Sequence, residues 1–424
     1  MSEMSESPRG ASVGTPGGRP LRVLLTTDWW EPAVNGVVAS VTTLRRELLA
    51  LGCDVRVLTL SPELRAHREA DVYRIGSLPA QAIYSRARIG MPTNPRALRE
   101  ILRWRPDVVH SHCEFSTHIT ARRIARHLGV PLVHTHHTNY EDYTHYYSPS
   151  RAVGRKVVET LTRRLLDGTD AVIAPTEKMA RVLRGYGVDR PLHVIPTGLD
   201  LRRFRPAEGP REEADAAALR AALGIAPGRR VLISLSRLAQ EKNLRQVLED
   251  VAAADRADTV LVMVGDGPQR AELEEHARHL GIAERVRFPG GIEPSQVPRW
   301  YRLGDAFVSA SQSESQGLTF IEAMACGLPL LCRRDPSLDP VVIPGRTGWQ
   351  LDAPDDLARH LEELWADEPR RRAMARTGVE HAHSAFSAPT YGARVLGVYQ
   401  GMRAPLDPAP RSPRIIARRE PVPA

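Results

Sequence analysis

Short apolar runs alternate with amphipathic stretches along the whole chain. In the first half the runs are RVLLTT (22–27), DVRVLTL (54–60), DVVHSH (107–112), PLVHTHH (131–137), AVIAPT (171–176) and LHVIP (192–196). Runs this short and this rich in Val, Ile and Leu have the pattern of strands buried on both faces. Between the first two, residues 37–51 set Val37, Val41, Leu44, Leu48 and Leu51 at helical spacing, and Gly52 predicts the stop. The second half repeats the alternation with VLISLS (231–236), TVLVMVG (259–265), VRFPG (286–290), AFVSAS (306–311) and PLLCR (329–333). Alternating strands and helices predict α/β units with parallel sheets and crossover helices. Residues 196–211 (PTGLDLRRFRPAEGPR) interrupt the pattern with three prolines and two glycines, a turn-rich crossing suited to a domain boundary. Two Rossmann-like, doubly wound domains are therefore expected, over 21–198 and 199–387, in a chain whose 424 residues already ask for more than one core.

Charge changes the picture more than composition does. The net charge is +8, and 25 Arg or Lys against 17 Asp or Glu fall in residues 21–198, while 199–403 hold 27 against 29. The basic excess thus belongs to the first half, where it permits an anionic membrane, nucleic acid or phosphate-rich molecules as partner. The chain writes Arg almost everywhere, so its three lysines, Lys156, Lys178 and Lys242, either mark places where a compact ammonium is wanted or fall there by chance. Four scattered cysteines with no CxxC pair fit a reducing compartment and exclude a disulfide framework. Residues 1–20 read as a disordered polar tail without the apolar core of a signal peptide, and 404–424 as a disordered basic tail. No run is long enough to span a membrane.

In doubly wound folds ligands gather at the carboxyl ends of the strands, so the residues just after each strand carry the chemistry. After the first strand, TTDWWEPAVNGVV lacks the glycine fingerprint of dinucleotide-binding oxidoreductases and offers Asn35-Gly36 before a helix. Gly36 lets backbone approach a phosphate closely, or is simply a turn glycine. SRLAQEKN, after strand VLISLS, brings Arg237 and Lys242 to one loop, two cations suited to a diphosphate unless both are merely solvated. SASQSESQGLTFIEAMACGLPLLCRRD (309–335) starts a helix near Gly317, whose Leu318 and Thr319 N–H groups can meet a phosphate. A wholly helical interval would hold Glu314 and Glu322 about 12 Å apart. That is too wide for a paired-carboxylate glycosidase, so Glu322 suits a ribose diol and Glu314 a sugar. VHSHCEF and VHTHHTNYEDYTHYY invite a zinc reading, but HxHH in an extended run alternates faces and cannot gather all three imidazoles. His134 is read as core, and His137, at the strand end, as a polar contact to substrate.

VNGV, IPTGLDLRRF, SRLAQEKN, VGDGP, FPGG and the Glu314-to-Glu322 string, in this order over 21–403, resemble the family 4 retaining glycosyltransferases of GT-B fold. The resemblance implies that Arg237 and Lys242 hold the donor diphosphate, Glu322 the ribose and Glu314 the transferred sugar. Gly36 would face the phosphates across the cleft, Gly317, Leu318 and Thr319 would cap them, and His137 would sit beside donor sugar and acceptor. A last helix, 388–403, would cross back onto the first domain.

Within the family HTHHTNYEDYTHYY and SESQGLTFIEAMA look most like bacterial diacylglycerol α-glucosyltransferases. Trp29, Trp30 and Asp335-Pro336 depart from the family pattern. The implied reaction moves α-glucose from UDP-glucose to 1,2-diacylglycerol with no obligatory cofactor or metal. The alternatives are transfer from GDP-mannose to a phosphatidylinositol-type lipid, and a glycosyltransferase or epimerase with a soluble substrate. Tyr143, Tyr146 and Tyr147 ahead of Arg151, Arg155 and Lys156 suit rest on an anionic bilayer, and nucleic acid is not expected. The implied location is cytoplasmic, peripheral on the inner face of the cell membrane.

Overall fold

The computed structural model describes residues 18–33, 35–79, 88–90, 95–138, 151–353 and 355–403. The first half runs β1 (Arg22–Thr26), α1 (Gly36–Ala50), β2 (Asp54–Leu60), β3 (His67–Glu69), β4 (Val72–Ile75), β5 (Ser77–Pro79) and β6 (Arg88–Gly90). It continues with α2 (Pro95–Trp104), β7 (Val108–Ser111), α3 (Ser116–Leu128), β8 (Leu132–Thr135), α4 (Arg151–Leu166), β9 (Ala171–Ala174), α5 (Glu177–Gly185) and β10 (Leu192–Val194). After the crossing come α6 (Pro210–Ala222), β11 (Arg230–Leu235), α7 (Leu244–Ala253), β12 (Thr259–Val264), α8 (Arg270–His279), β13 (Val286–Gly290) and α9 (Val297–Tyr301). The chain ends through β14 (Ala306–Ser309), α10 (Leu318–Ala325), β15 (Leu330–Arg333), β16 (Gly348–Leu351), α11 (Asp356–Ala366), α12 (Glu368–Phe386) and α13 (Ala388–Arg403).

The strands form two sheets, ordered β10-β9-β8-β7-β1-β2-β4-β3 and β13-β12-β11-β14-β15-β16. All pairings are parallel except β3 with β4, and a small antiparallel β5–β6 hairpin stands apart. In each sheet the order reverses beside the first strand, opening the crevice in which doubly wound folds bind ligands. The anticipated runs all became strands. Not anticipated were β3 to β6 and β16, of three or four residues each, of which β4 lies between β2 and β3 and the others at edges.

Helix α1 shows how the local code works. Asn35 caps it, its Oδ1 accepting from Val38 N at 2.9 Å, and Val38, Val41, Leu44 and Leu48 are buried at helical spacing. Gly52, at φ 82°, then turns the chain. The core under β1 is shared by α1 and α13, through Val41, Leu44 and Leu48 of the one and Tyr391, Val395 and Tyr399 of the other. The chain passes between the sheets twice, and the two passages run side by side. Leu199 N donates to Phe386 O and Ala388 N to Leu199 O, both at 2.9 Å.

Candidate functional site

The carboxyl ends of both sheets carry the chemistry. In the second sheet the loop after β11 rises from Ser236 to Asn243 and is bound to the loop after β12. Ser236 N donates to Val264 O at 3.1 Å and Leu238 N to Asp266 O at 2.9 Å. Gly265 makes this possible: it adopts φ 139°, and a Cβ there would stand 1.9 Å from Ser236 O. The two motifs SRLAQEKN and VGDGP are therefore one structural unit, with the second supporting the first.

Arg237 and Lys242 separate in their partners. Arg237 is well exposed and bonds Glu241 Oε1 at 2.7 Å. Lys242 reaches across to the loop after β14, where its Nζ donates to Glu314 Oε1 at 2.7 Å. The same oxygen accepts from Ser311 Oγ at 2.7 Å, and Ser337 Oγ donates to the Glu314 carbonyl at 2.6 Å. Lys242 and Glu314 thus meet in one half-buried ion pair at the cleft.

As expected, Glu314 lies before the turn and Glu322 inside the helix, so the separation of about 12 Å for a wholly helical interval does not apply. Ser315 and Gln316 continue the loop, Gly317 takes the left-handed φ of 74°, and α10 begins at Leu318. A side chain at Gly317 would also stand 2.7 Å from Leu338 Cδ2. Phe320 N and Ile321 N both turn back to Gly317 O, while the N–H groups of Leu318 and Thr319 have no partner among the described residues. Such free donors, with the positive end of the helix dipole, have the chemistry that suits an anion. Gly36 stands opposite: a Cβ placed on it would be 4.0 Å from Leu318 Cδ1. The amino ends of α1 and α10 face one another across the crevice.

Glu322 lies one turn into α10, where Tyr301 OH is shared between its Oε2 at 3.1 Å and Thr319 O at 3.2 Å. Burial raises its carboxyl to about 7, against the lowering effects of Tyr301 and Arg203. Burial likewise raises Asp28 to about 6, although Thr117 N donates to its Oδ1 at 2.8 Å. Each folded carboxyl keeps its proton where the unfolded chain, titrating near 4.5 or 3.8, has lost it. Their stabilising contribution is therefore complete below those values and lost as pH rises through about 6 and about 7. The melting temperature of the unliganded protein is expected to fall between about pH 5 and about pH 8, and Glu322→Gln to shrink that fall. Identical pH profiles for the two proteins would refute the assignment.

Facing these groups, the first sheet contributes its histidines. His110 is buried between Tyr399 OH at 2.6 Å and Thr135 Oγ1 at 2.7 Å, a structural link from β7 to α13. His137 stacks on His112, Nε2 to Nδ1 3.1 Å, and burial lowers it to about 3, which keeps its ring neutral. His134, as expected, is fully buried and bonded to Ser111 Oγ. Strand periodicity does sort HxHH onto two sides: His134 and His136 go to Glu114, and His137 goes to His112.

Other residues escaped the sequence reading. Lys178 Nζ bonds Asp335 at 2.9 and 3.1 Å and Gln312 O at 3.1 Å. Thr176 Oγ1 donates to Ser315 O, and Gln316 pairs with both backbone groups of Thr197, at 2.7 and 2.8 Å. The loop that carries Glu314 is therefore bolted to the first half of the chain. The rarity of lysine was a usable signal for Lys178, whereas nothing local marked Gln316. Asp28 was findable as the acid two residues beyond β1. Lys156 shows the limit of that signal, since it lies exposed beside Glu159.

Helix α4 packs through Gly154, Val158, Thr162 and Leu166, while Val153, Val157 and Leu161 form an exposed apolar row beside Arg155, Lys156, Arg163 and Arg164. Tyr143, Tyr146 and Tyr147, the Arg151 side chain, residues 1–17 of the anticipated 1–20 tail and the whole 404–424 tail lie outside the described residues, whereas Arg19, expected in the first tail, is held by Asp107 at 2.7 Å. Among the described residues no helix is long and apolar enough to cross a membrane.

Comparison with known proteins agrees with this architecture. Residues 34–203 match the Glycosyltransferase Family 4 model and residues 215–381 the glycosyl transferases group 1 model. An alpha-monoglucosyldiacylglycerol synthase of Streptococcus pneumoniae is 36% identical over 388 residues, covering 89% of this chain and 85% of that protein. The enzyme of the same name from Acholeplasma laidlawii is 28% identical, over 80% of this chain and 87% of that one. Among solved structures, Anabaena HepE in complex with UDP superposes with a TM-score of 0.69 over 90% of this chain and all of that one, at 17% identity, a likeness of fold. The paired doubly wound sheets, the crevice between them and these matches show that the chain belongs to glycosyltransferase family 4, with the GT-B fold, and is a hexosyltransferase.

Proposed function

We propose that this enzyme transfers α-glucose from UDP-glucose to the free hydroxyl of 1,2-diacylglycerol, with retained configuration, at an anionic membrane surface. The observation that carries the reading is the grouping of Lys242, Glu314 and the unpaired amides of α10 opposite Gly36. The relatives' names support the acceptor and the sugar. In this reading residues 21–198 and 388–403 form the acceptor side, and 199–387 the donor side.

The diphosphate sits at the start of α10, where the Leu318 and Thr319 amides, Lys242 and Arg237 neutralise it. Charge builds on the leaving phosphate as the anomeric carbon–oxygen bond breaks, and donors already aimed at that charge lower the barrier. The acceptor oxygen bonds to the anomeric carbon on the same face, and its proton passes to the departing phosphate oxygen. Glu322 accepts from the ribose diol and Glu314 from the sugar hydroxyls. Neutral His137 offers one ring nitrogen to the sugar without bringing charge. The exposed apolar row of α4 and its basic neighbours rest on the bilayer, where apolar contact and attraction to anionic lipid add.

The test uses full-length protein, labelled UDP-glucose or GDP-mannose, and vesicles holding diacylglycerol or phosphatidylinositol at varied anionic content. Label is expected on diacylglycerol from UDP-glucose, faster as anionic lipid rises and slower with salt. Mannose on the inositol lipid, or label on a water-soluble acceptor alone, would reject the proposed substrates. A rate indifferent to anionic lipid and to salt would reject the membrane surface.

A further inference from the structure

Away from the donor loops, three side chains at the carboxyl end of the first sheet converge. Glu114 follows β7, His134 lies within β8 and His136 comes just after it. Glu114 Oε1, His134 Nε2 and His136 Nδ1 all lie within 4.8 Å of one another, with the carboxylate oxygen 3.7 Å from the first nitrogen and 3.3 Å from the second. We propose that Glu114, His134 and His136 bind a divalent transition cation, zinc before others, which ties the loop after β7 to the loop after β8.

The two carboxylate–imidazole separations, 3.3 and 3.7 Å, approach those of a coordination shell. Zinc–nitrogen and zinc–oxygen bonds of about 2.0–2.1 Å in a tetrahedron set neighbouring ligand atoms about 3.3 Å apart. Two imidazoles with one carboxylate suit zinc or ferrous iron, whereas calcium and magnesium take oxygen ligands. The second shell is also in place. Ser111 Oγ lies 2.7 Å from His134 Nδ1 and 2.9 Å from His118 Nδ1. A proton on His134 Nδ1, donated to that hydroxyl, turns the lone pair of Nε2 toward Glu114, as second-shell partners do for metal-bound histidines. His134 is fully buried, and among the described residues its Nε2 has no hydrogen-bond partner. A buried polar atom left so is destabilising, and coordination offsets that.

A cavity of about 320 Å³, lined by Glu114, His118 and Arg122 among others, opens beside the carboxylate and gives a route in and room for a fourth ligand. Arg122 and Arg123 on its wall favour an anion there, such as hydroxide or chloride. His136 adjoins His137, so the cation would set the backbone from which His137 enters the cleft. No step of glycosyl transfer runs through the ion, and the inference stands whichever sugar or acceptor the enzyme uses.

The test is metal binding to tag-free, full-length protein, stripped with chelator, dialysed and titrated with zinc chloride or cobalt chloride. Wild type is expected to take up about one tight equivalent, to gain thermal stability with zinc and to show the visible band of tetrahedral cobalt. Glu114→Gln should lose the equivalent and the band, while Ser111→Ala keeps the ligands and should bind about tenfold more weakly. His137→Asn should keep the stoichiometry, and circular dichroism checks that each variant is folded. No tight equivalent on wild type overturns the proposal. Unchanged binding in folded Glu114→Gln or in Ser111→Ala, or its loss in folded His137→Asn, overturns the assigned ligand set.

Discussion

Lys242→Ala is expected to lower turnover by about two to three orders of magnitude, the effect of removing one preorganised donor from a charge that develops in the transition state. The fold should survive. Lys242 is paired with Glu314 at a partly exposed site, and such a pair contributes about 1 kcal/mol or less. Ser311 Oγ and Ser337 Oγ still hold Glu314 in the variant. The result to look for is thus a collapse of kcat beside a melting temperature close to wild type. Lys242→Arg should restore only part of the rate, since a planar fork replaces a point charge. Near-normal turnover in Lys242→Ala would remove Lys242 from the mechanism.

The second large effect concerns stability and cleft geometry together. Asp335 is fully buried, and Lys178 Nζ lies 2.9 Å from one of its oxygens and 3.1 Å from the other. Lys178→Met leaves that carboxylate with Ser337 N at 2.8 Å but without its cation. Stranding a buried charge in this way costs about 3–5 kcal/mol, and the water that reaches half-buried Lys178 argues for the lower figure. The substitution also removes the bond from Lys178 Nζ to Gln312 O, one of the ties that hold the Glu314 loop to the first half. Denaturant unfolding should show the loss, and the donor KM should rise with it. Replacing both partners, as Lys178→Met with Asp335→Leu, should recover much of the stability but not the KM. An unfolding midpoint equal to wild type in Lys178→Met would show that the pair holds nothing.

Both predictions concern contacts between distant parts of the chain, and this marks where sequence reading stops. The paired-domain alternation, α1 with its Gly52 stop, and the donor string from Ser309 onward were all legible. So was the sorting of HxHH onto two sides of a strand. The helix start near Gly317, with Glu314 before it and Glu322 inside it, was legible too, and Gly317 is the left-handed residue that divides the interval. The ion pair of Lys242 with Glu314 was not foreseen, although both residues were singled out for separate duties.

The physical reason lies in range. Strand and helix patterns come from burying one face of a local element, so neighbouring residues carry them and the sequence alone sufficed for the α/β alternation, the helix starts and the family. Lys178 with Asp335, Gln316 with Thr197 and Lys242 with Glu314 are separated by 157, 119 and 72 residues. The first two depend on how the two sheets are set against each other and the third on β11 and β14 lying side by side in one sheet, and no local preference encodes either. Only the tertiary structure could decide that Lys178 latches the cleft, that Lys156 merely faces solvent, and that Glu114 joins His134 and His136.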